Sequence, residues 1–319
     1  MTRVICGVDV SSFSLEARIG LEGRAASFVN SREGIAQLHA FCREHAVELV
    51  AMEATGGYEQ TAFALLWAEG MAVALLNPRS VRRFAESMGV LEKTDRIDSG
   101  MIAWFAEVKK VRASLPASAE QSHLRALVTR LRQLTELQVM QRNQRRLVSD
   151  ARVQQMVHDL LTVIAGQIRA LEAEITQMIA ADPLWQQLDT AFRSIKGVAD
   201  RTVARLMAEM PEIGSLSNKA IAKLAGLAPL ARDSGKQQGK RVVRGGRRPV
   251  RDILFVVAFI VCRHNADFAA FDQRLRAAGK ARKVIRIALA HKLLVRLNAK
   301  AREVRQGFAL SPAVAGMAS

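Results

Sequence analysis

Cysteine is scarce in this 319-residue chain. Cys6, Cys42 and Cys262 stand far apart and fit no metal-ligand spacing, and two of them fall in apolar runs. They read as buried free thiols in a reducing cytoplasm. The start lacks a basic stretch followed by an apolar one, so no signal peptide is expected. The longest apolar run, Ile253 to Cys262, is too short to span a bilayer and reads as a buried helix, so no membrane is expected as a partner. Tyrosine occurs once, as Tyr58. Proline is absent between Ser118 and Ala181, where Gly166 is the one glycine, which favours long helices there. A second Asp-Gly-rich phosphate loop is also missing. That absence counts against an actin-like ATPase or sugar kinase, although Val8-Asp9-Val10-Ser11 would suit the first such loop.

Positive charge is abundant by contrast, and uneven. The chain carries 47 Lys and Arg against 30 Asp and Glu, a net of +17. Residues 1–110 sum to −2 and residues 111–319 to +19. A near-neutral half joined to a strongly basic half implies a polyanion as partner.

The near-neutral half reads as α/β. Residues 3–10, 14–20 and 24–30 form three consecutive strands, the second alternating apolar and polar (Leu15, Ala17, Ile19). Ser31 caps a helix to about His45, and residues 47–53 form a strand. Gly56-Gly57 turns into a helix over 58–69. A strand over 71–76 and helices over 79–88 and 95–110 follow. This is the order of an RNase H-like sheet, and equally the start of an actin-like ATPase half. Asp9 lies in an apolar strand and Glu53 ends another, while Asp95 and Asp98 share a helix face at i and i+3. A carboxylate in an apolar strand is costly without a partner. Four carboxylates meeting at one end of the sheet would supply hard oxygen ligands for two divalent ions, the arrangement used to break phosphodiester bonds. Taken singly, Asp95 and Asp98 also suit helix capping, and Glu53 suits a strand-end surface charge.

Pro116 ends this pattern. Ser118-Ala119-Glu120-Gln121 matches a capping box. Leu124, Leu127, Leu131 and Leu134, then Leu161, Ile164, Ile168, Leu171, Ile175 and Met178, recur at coiled-coil spacing. The middle, with Arg142, Arg145 and Arg146, is more polar. One long helix, a hairpin bent in that middle, or an ordinary helical bundle would fit.

Beyond Asp182-Pro183, Ile195-Lys196-Gly197-Val198 precedes short helices over 203–210 and 218–224. A glycine turn between short helices presents N–H groups to phosphate, as in a helix-hairpin-helix element, and a plain helical turn fits as well. Leu230 to Arg251 holds Arg232, Lys236, Lys240, Arg241, Arg244, Arg247, Arg248 and Arg251 against Asp233. It reads as a basic, Gly-containing loop suited to nucleic acid. Within it Ser234 is a candidate nucleophile, with guanidinium groups to offset developing charge; Ser215 and Ser217 look like helix caps. Tyr58, after the Gly-Gly turn, suits contact with nucleic acid or packing at a helix start.

Three N-terminal blocks, Val8-Asp9-Val10-Ser11, Glu53-Ala54-Thr55-Gly56-Gly57-Tyr58 and Lys93-Thr94-Asp95-Arg96-Ile97-Asp98, resemble those of the DEDD-type insertion-sequence transposases, the "one-ten" family with its "eleven-eleven" subgroup. The Ile195–Val198 and Leu224–Pro229 segments, and the run from Ser234 to Arg251, are similar to that family's C-terminal domain. The resemblance implies a RuvC-like domain over 1–112, a helical coiled-coil connector over 113–183 and a mainly α transposase domain over 184–319. It implies Mg²⁺, two ions held by Asp9, Glu53, Asp95 and Asp98, and Ser234 as the nucleophile that links covalently to DNA. It further implies donor and target DNA and a structured non-coding bridge RNA as partners, with dimers joining into tetramers and active sites shared between subunits. A RuvC-like junction nuclease without covalent capture, and a non-catalytic DNA-binding protein, are the competing functions.

Overall fold

The computed structural model describes residues 3–90, 95–231, 239 and 241–310, without the side chains of 95–97 and 309. The chain divides into two compact units, Met1–Ala117 and Ser118–Ser319.

The first unit runs β1 (Ile5–Val10), β2 (Ser14–Ile19), β3 (Ala25–Val29), α1 (Arg32–Glu44), β4 (Leu49–Glu53), α2 (Glu59–Ala68), β5 (Val73–Leu76), α3 (Pro78–Ser87) and α4 (Asp95–Val108). The sheet order is β3-β2-β1-β4-β5. The β1–β2 and β2–β3 pairs are antiparallel; β1–β4 and β4–β5 are parallel. This is the mixed order expected of an RNase H-like domain. Strand β1 is central and covered on both faces, which explains why its sequence is apolar apart from Asp9 near its end. Its alternate residues Cys6, Val8 and Val10 pack with Ile35 and Leu38 of α1 and Phe63 and Leu66 of α2. Ile5, on the other face, joins Ala51, Met101, Ile102 and Ala106. Ser31 caps α1 by accepting the Gly34 N–H, and Asn77 caps α3 by accepting that of Arg79.

The second unit is helical: α5 (Ala119–Arg145), α6 (Ala151–Ala181), α7 (Pro183–Arg193), α8 (Asp200–Glu209), α9 (Asn218–Leu224), α10 (Arg248–His264), α11 (Ala266–Ala277) and α12 (Arg282–Ala309). The chain turns between Arg146 and Asp150, so α5 and α6 form an antiparallel hairpin. At its base His123 Nε2 and Glu174 Oε1 lie 3.2 Å apart. Leu124, Val128, Leu131 and Leu134 face Ile164, Ile168, Ile175 and Ile179 in a core that continues through Phe192, Leu206, Leu254 and Leu297.

Some expectations need correcting. Ser118 caps α5, but Gln121 does not close the capping box; its amide donates instead to the carbonyl of Met207 at 3.0 Å, tying α5 to α8. After α6 ends at Ala181, as Asp182-Pro183 implied, Pro183 is itself helical. It starts α7, with Asp182 accepting the Trp185 N–H. Helix α10 is buried on one stripe only (Val250, Leu254, Val257, Ala258, Val261), and Val256 is 56% exposed. Among the described residues no single helix is long and apolar enough to cross a membrane; α10 and α11 pass only as a pair bent by 105°. All three cysteines are free, with Cys6 and Cys42 buried.

Candidate active site

The site is set by one register. In the parallel β1–β4 pair, Gly7 lies opposite Ala51 and Val8 opposite Met52. The next residue on each strand is Asp9 and Glu53. Neighbouring strands lie ~4.8 Å apart, so the two carboxylates leave the same end of the sheet as neighbours. Alternation puts both on the face of Ile5 and Ala51, the face covered by α4. Both residues are half-buried.

Helix α4 runs antiparallel to β1. Arg3, before β1, donates to the carbonyl of Val111, just beyond α4. In the middle, a Cβ built on Gly7 would stand 2.0 Å from the Ser99 carbonyl oxygen and 2.6 Å from the Ala103 nitrogen. The N-terminal turn of α4, with Asp95 and Asp98, therefore lies toward the end of β1 that carries Asp9. Asp98 is half-buried; the side chain of Asp95 lies outside the described residues.

A buried carboxylate shapes the loop after β4. Glu59, 3% exposed, accepts the N–H of Thr55 at 3.0 Å and of Gly57 at 2.9 Å, and the Gln60 amide at 2.8 Å. Burial pushes its pKa up, but these hydrogen bonds and its own backbone N–H outweigh that, so it falls below the usual value. Gly56 and Gly57 take φ of +82° and +124°, which side-chain-bearing residues rarely adopt. Asn30 donates from Nδ2 to the carbonyls of Ser11 (2.8 Å) and Tyr58 (3.2 Å), joining the loops after β1 and β4. Tyr58 is 56% exposed, so it is not a packing residue. Sequence reasoning passed over Glu59 and Asn30. The available signal for Glu59 was a carboxylate in the first turn of a helix entered through two glycines.

Among the described residues no three His, Cys, Asp or Glu side chains are grouped closely enough to hold a metal ion. The test for an ion here rests on the donor chemistry. Singly, Asp9, Glu53 and Asp98 are hard oxygen donors toward one end of the sheet, the donor type that a divalent cation such as Mg²⁺ takes in preference to a soft metal.

In the second unit Arg232, Ser234, Lys236 and Lys240 lie outside the described residues. Lys196 is exposed. Gly197 has φ +101° and packs against the Val261 backbone of α10, with a built Cβ at 3.0 Å from its nitrogen; close packing accounts for this glycine. Arg241 and Arg244 are exposed near the Leu230–Val242 bridge. Arg248 pairs with Asp252 at 3.3 Å, and Arg251 donates to the Gly245 carbonyl at 2.6 Å. Arg247 is engaged most fully. Both its terminal nitrogens bond Glu212 at 2.5 Å, and it donates to the Glu209 carbonyl at 2.9 Å. Its guanidinium is occupied inside the protein, so it serves the fold before any phosphate.

An RNase H-like sheet with acidic residues at the carboxyl ends of its two central parallel strands, followed by a basic helical unit, defines the class: a nucleic-acid-processing enzyme. The comparisons narrow it. A DEDD transposase model of insertion sequence IS110 matches residues 6–151, and one described as "Transposase IS116/IS110/IS902 family" matches residues 189–273. The chain belongs to this IS110 transposase family and is a DNA recombination enzyme. The pilin gene-inverting proteins of Moraxella lacunata and Moraxella bovis are each 26% identical over 305 residues, covering 92% of this chain and 94% of theirs. An insertion element IS110 uncharacterized 43.6 kDa protein of Streptomyces coelicolor is 34% identical over 122 residues, 38% of this chain and 29% of that one. The Thermus thermophilus RuvC structure is 17% identical and matches with a TM-score of 0.28, covering 35% of this chain and 99% of its own.

Proposed function

We propose that this transposase cuts and rejoins DNA under the guidance of a structured non-coding bridge RNA that pairs with donor and target. Residues 1–112 form the carboxylate domain, 113–183 the helical connector and 184–319 the serine-bearing domain. The side-by-side exit of Asp9 and Glu53 beneath the N-terminal turn of α4 carries the reading. Asp9, Glu53, Asp95 and Asp98 would hold two Mg²⁺ ions, which when bound stabilise negative charge on phosphate oxygens. The loop that Glu59 holds fixes where Glu53 leaves the sheet. Ser234 Oγ attacks the phosphorus, a serine–phosphate ester forms, one DNA P–O bond breaks, and the hydroxyl proton passes through solvent to the departing DNA oxygen. An incoming DNA hydroxyl reverses the step and releases the serine. Arg232, Lys236, Lys240, Arg241, Arg244 and Arg251 surround that serine in sequence and would neutralise phosphate charge.

The chain works as a homo-oligomer in the cytoplasm, at the nucleoid, with carboxylates and serine drawn from different subunits. Val153, Met156, Leu160 and Val163 form an exposed apolar stripe on α6 suited to a second copy. Asp9→Ala and Ser234→Ala should each abolish excision and insertion while leaving nucleic-acid binding intact. Full recombination by Asp9→Ala overturns the carboxylate site. Full activity of Ser234→Ala selects a RuvC-like nuclease without covalent capture. Sequencing nucleic acid that co-purifies without nuclease treatment tests the guide, for which a discrete structured RNA is expected.

A further inference from the structure

The distal half of the α5–α6 hairpin carries a groove of about 650 Å³ that the catalytic reading does not use. Arg142, Arg145 and Arg146, at i, i+3 and i+4, line one wall from the end of α5. Arg169 and His158 line it from α6, and Leu161 and Ala165 supply apolar surface between the charges.

Two observations mark this groove off from an ordinary solvated face. The first is charge imbalance. Elsewhere in this unit arginines pair with carboxylates: Arg132 with Glu136, Arg201 with Glu172, Arg276 with Asp272, Arg296 with Asp267. Among the described residues no such pair involves Arg142, Arg145, Arg146 or Arg169. The nearby acids are engaged elsewhere, since Asp150 accepts the Val153 N–H as the cap of α6 and Asp159 accepts the Gln155 amide at 2.8 Å. Four unmatched guanidinium groups around one concavity repel each other, and a bound polyanion relieves that.

The second observation is shape. On α6 the lining residues Gln154, His158, Thr162, Ala165 and Arg169 follow one stripe. The fifteen steps from Gln154 to Arg169, at ~1.5 Å each, span roughly 22 Å. Phosphates of one duplex strand recur every ~3.4 Å along the helix axis, so that length matches about six base steps. A compact anion such as a nucleotide would leave most of the arginines unused. The groove is lined by no Phe, Tyr or Trp, and its one aromatic ring is the imidazole of His158, so it offers no row of rings for successive bases. Its chemistry suits the sugar-phosphate backbone rather than base edges.

We propose that this groove is a nucleic-acid backbone site, holding a run of phosphodiesters along α6 without regard to sequence. The proposal rests on the recombinase reading for its class of ligand, but not on the carboxylates or Ser234. The phosphodiester belongs either to duplex DNA or to a folded RNA, and the test separates the two.

The test uses the full chain in EDTA, so that metal-dependent chemistry does not enter. Fluorescence anisotropy measures binding of a labelled duplex DNA and of a labelled RNA hairpin with the same number of phosphates, over a salt series. Arg145→Gln/Arg169→Gln is compared with Arg130→Gln/Arg152→Gln, which removes two exposed arginines of the same hairpin outside the groove. Thermal melts confirm that both variants fold. The groove variant should lower the slope of log K against log salt by about 2 for duplex DNA, at ~0.9 per phosphate contact, and weaken binding roughly tenfold or more. The control should lower the slope by less than ~1. A loss confined to DNA assigns the groove to a DNA arm, and a loss confined to RNA assigns it to the guide. Equal losses in both variants, no loss in either, or a change of oligomeric state in place of weakened binding overturns the site. Full recombination by Asp9→Ala, which would overturn the carboxylate site, would leave this result unchanged, so the two proposals fail separately.

Discussion

Gly7 meets the carbonyl of Ser99 with no room for a side chain, since a Cβ there would fall 2.0 Å from its oxygen. That contact lets α4 lie directly on β1, and it sets how far the Asp98 turn stands from Asp9. Gly7→Ala forces backbone against backbone. Overpacking of this kind costs about 1–3 kcal/mol. The expected outcome is a lower melting temperature together with loss of metal-dependent DNA cleavage. A Gly7→Ala protein with unchanged stability and activity would show that the helix–strand distance does not set the site.

Glu59 bonds the backbone of the loop that follows Glu53 and touches no position where substrate chemistry occurs, so it acts by positioning. Glu59→Ala should release the Thr55 and Gly57 N–H groups to water at about 1 kcal/mol. The informative readout is the Mg²⁺ concentration needed for half-maximal cleavage. It should rise in Glu59→Ala and recover partly in Glu59→Gln, whose amide oxygen can still accept one of the N–H groups. If overall stability falls and the Mg²⁺ requirement does not move, Glu59 serves the fold alone.

The order of the first unit was legible because each element carries its own local signal: Ser31 and Asn77 as caps, Gly56-Gly57 as a turn, and apolar runs at 5–10 and 49–53. The neighbouring exit of Asp9 and Glu53 follows from pairing two such strands in parallel. What local pattern cannot carry is a partner distant in sequence. Gln121 fits a capping box, yet the Met207 carbonyl, 86 positions away, takes its amide. Arg247 reads as a phosphate ligand until Glu212 is placed beside it. The stripe of α10 predicts burial, but only its packing on α8, α11 and α12 shows which face stays open.

Glu212 gives that arginine a pH signature. Burial raises the Glu212 pKa, the hydrogen bonds and charge of Arg247 lower it more, and the net shift is below the usual 4.5. The folded state therefore binds the proton more weakly than the unfolded chain. The stabilisation is complete above 4.5 and is lost as pH falls through the lower folded value. Both side chains are about a third exposed, so solvent screening keeps the pair's worth near ~1 kcal/mol. Arg247→Ala should flatten the acid limb of a stability–pH profile measured by thermal melts. It should leave the salt slope of DNA binding nearly unchanged, whereas Arg244→Ala should reduce that slope by about 0.9. A full drop in slope for Arg247→Ala would mean that the guanidinium leaves Glu212 for phosphate.

The hairpin carries one more consequence. Val153, Met156, Leu160 and Val163 recur at 3, 4 and 3 residues along α6, and all are exposed, with Leu160 at 42% and Met156 at 62%. On α5, Val139 and Met140 are exposed as well, and Leu147 at the turn is 88% exposed. An apolar seam with this spacing matches what one helix offers another in a coiled coil, and water is a poor neighbour for it. The arginines of the groove lie at other positions of the same hairpin, so association through the seam need not cover them. In the proposed homo-oligomer, Met156→Glu/Leu160→Glu should separate the subunits by light scattering, with helix content by circular dichroism unchanged because neither residue is buried. Recombination should fall with it, since carboxylates and serine from different subunits would no longer meet. If the variant stays oligomeric, the subunits join elsewhere; if it is monomeric and fully active, the active site is complete within one chain.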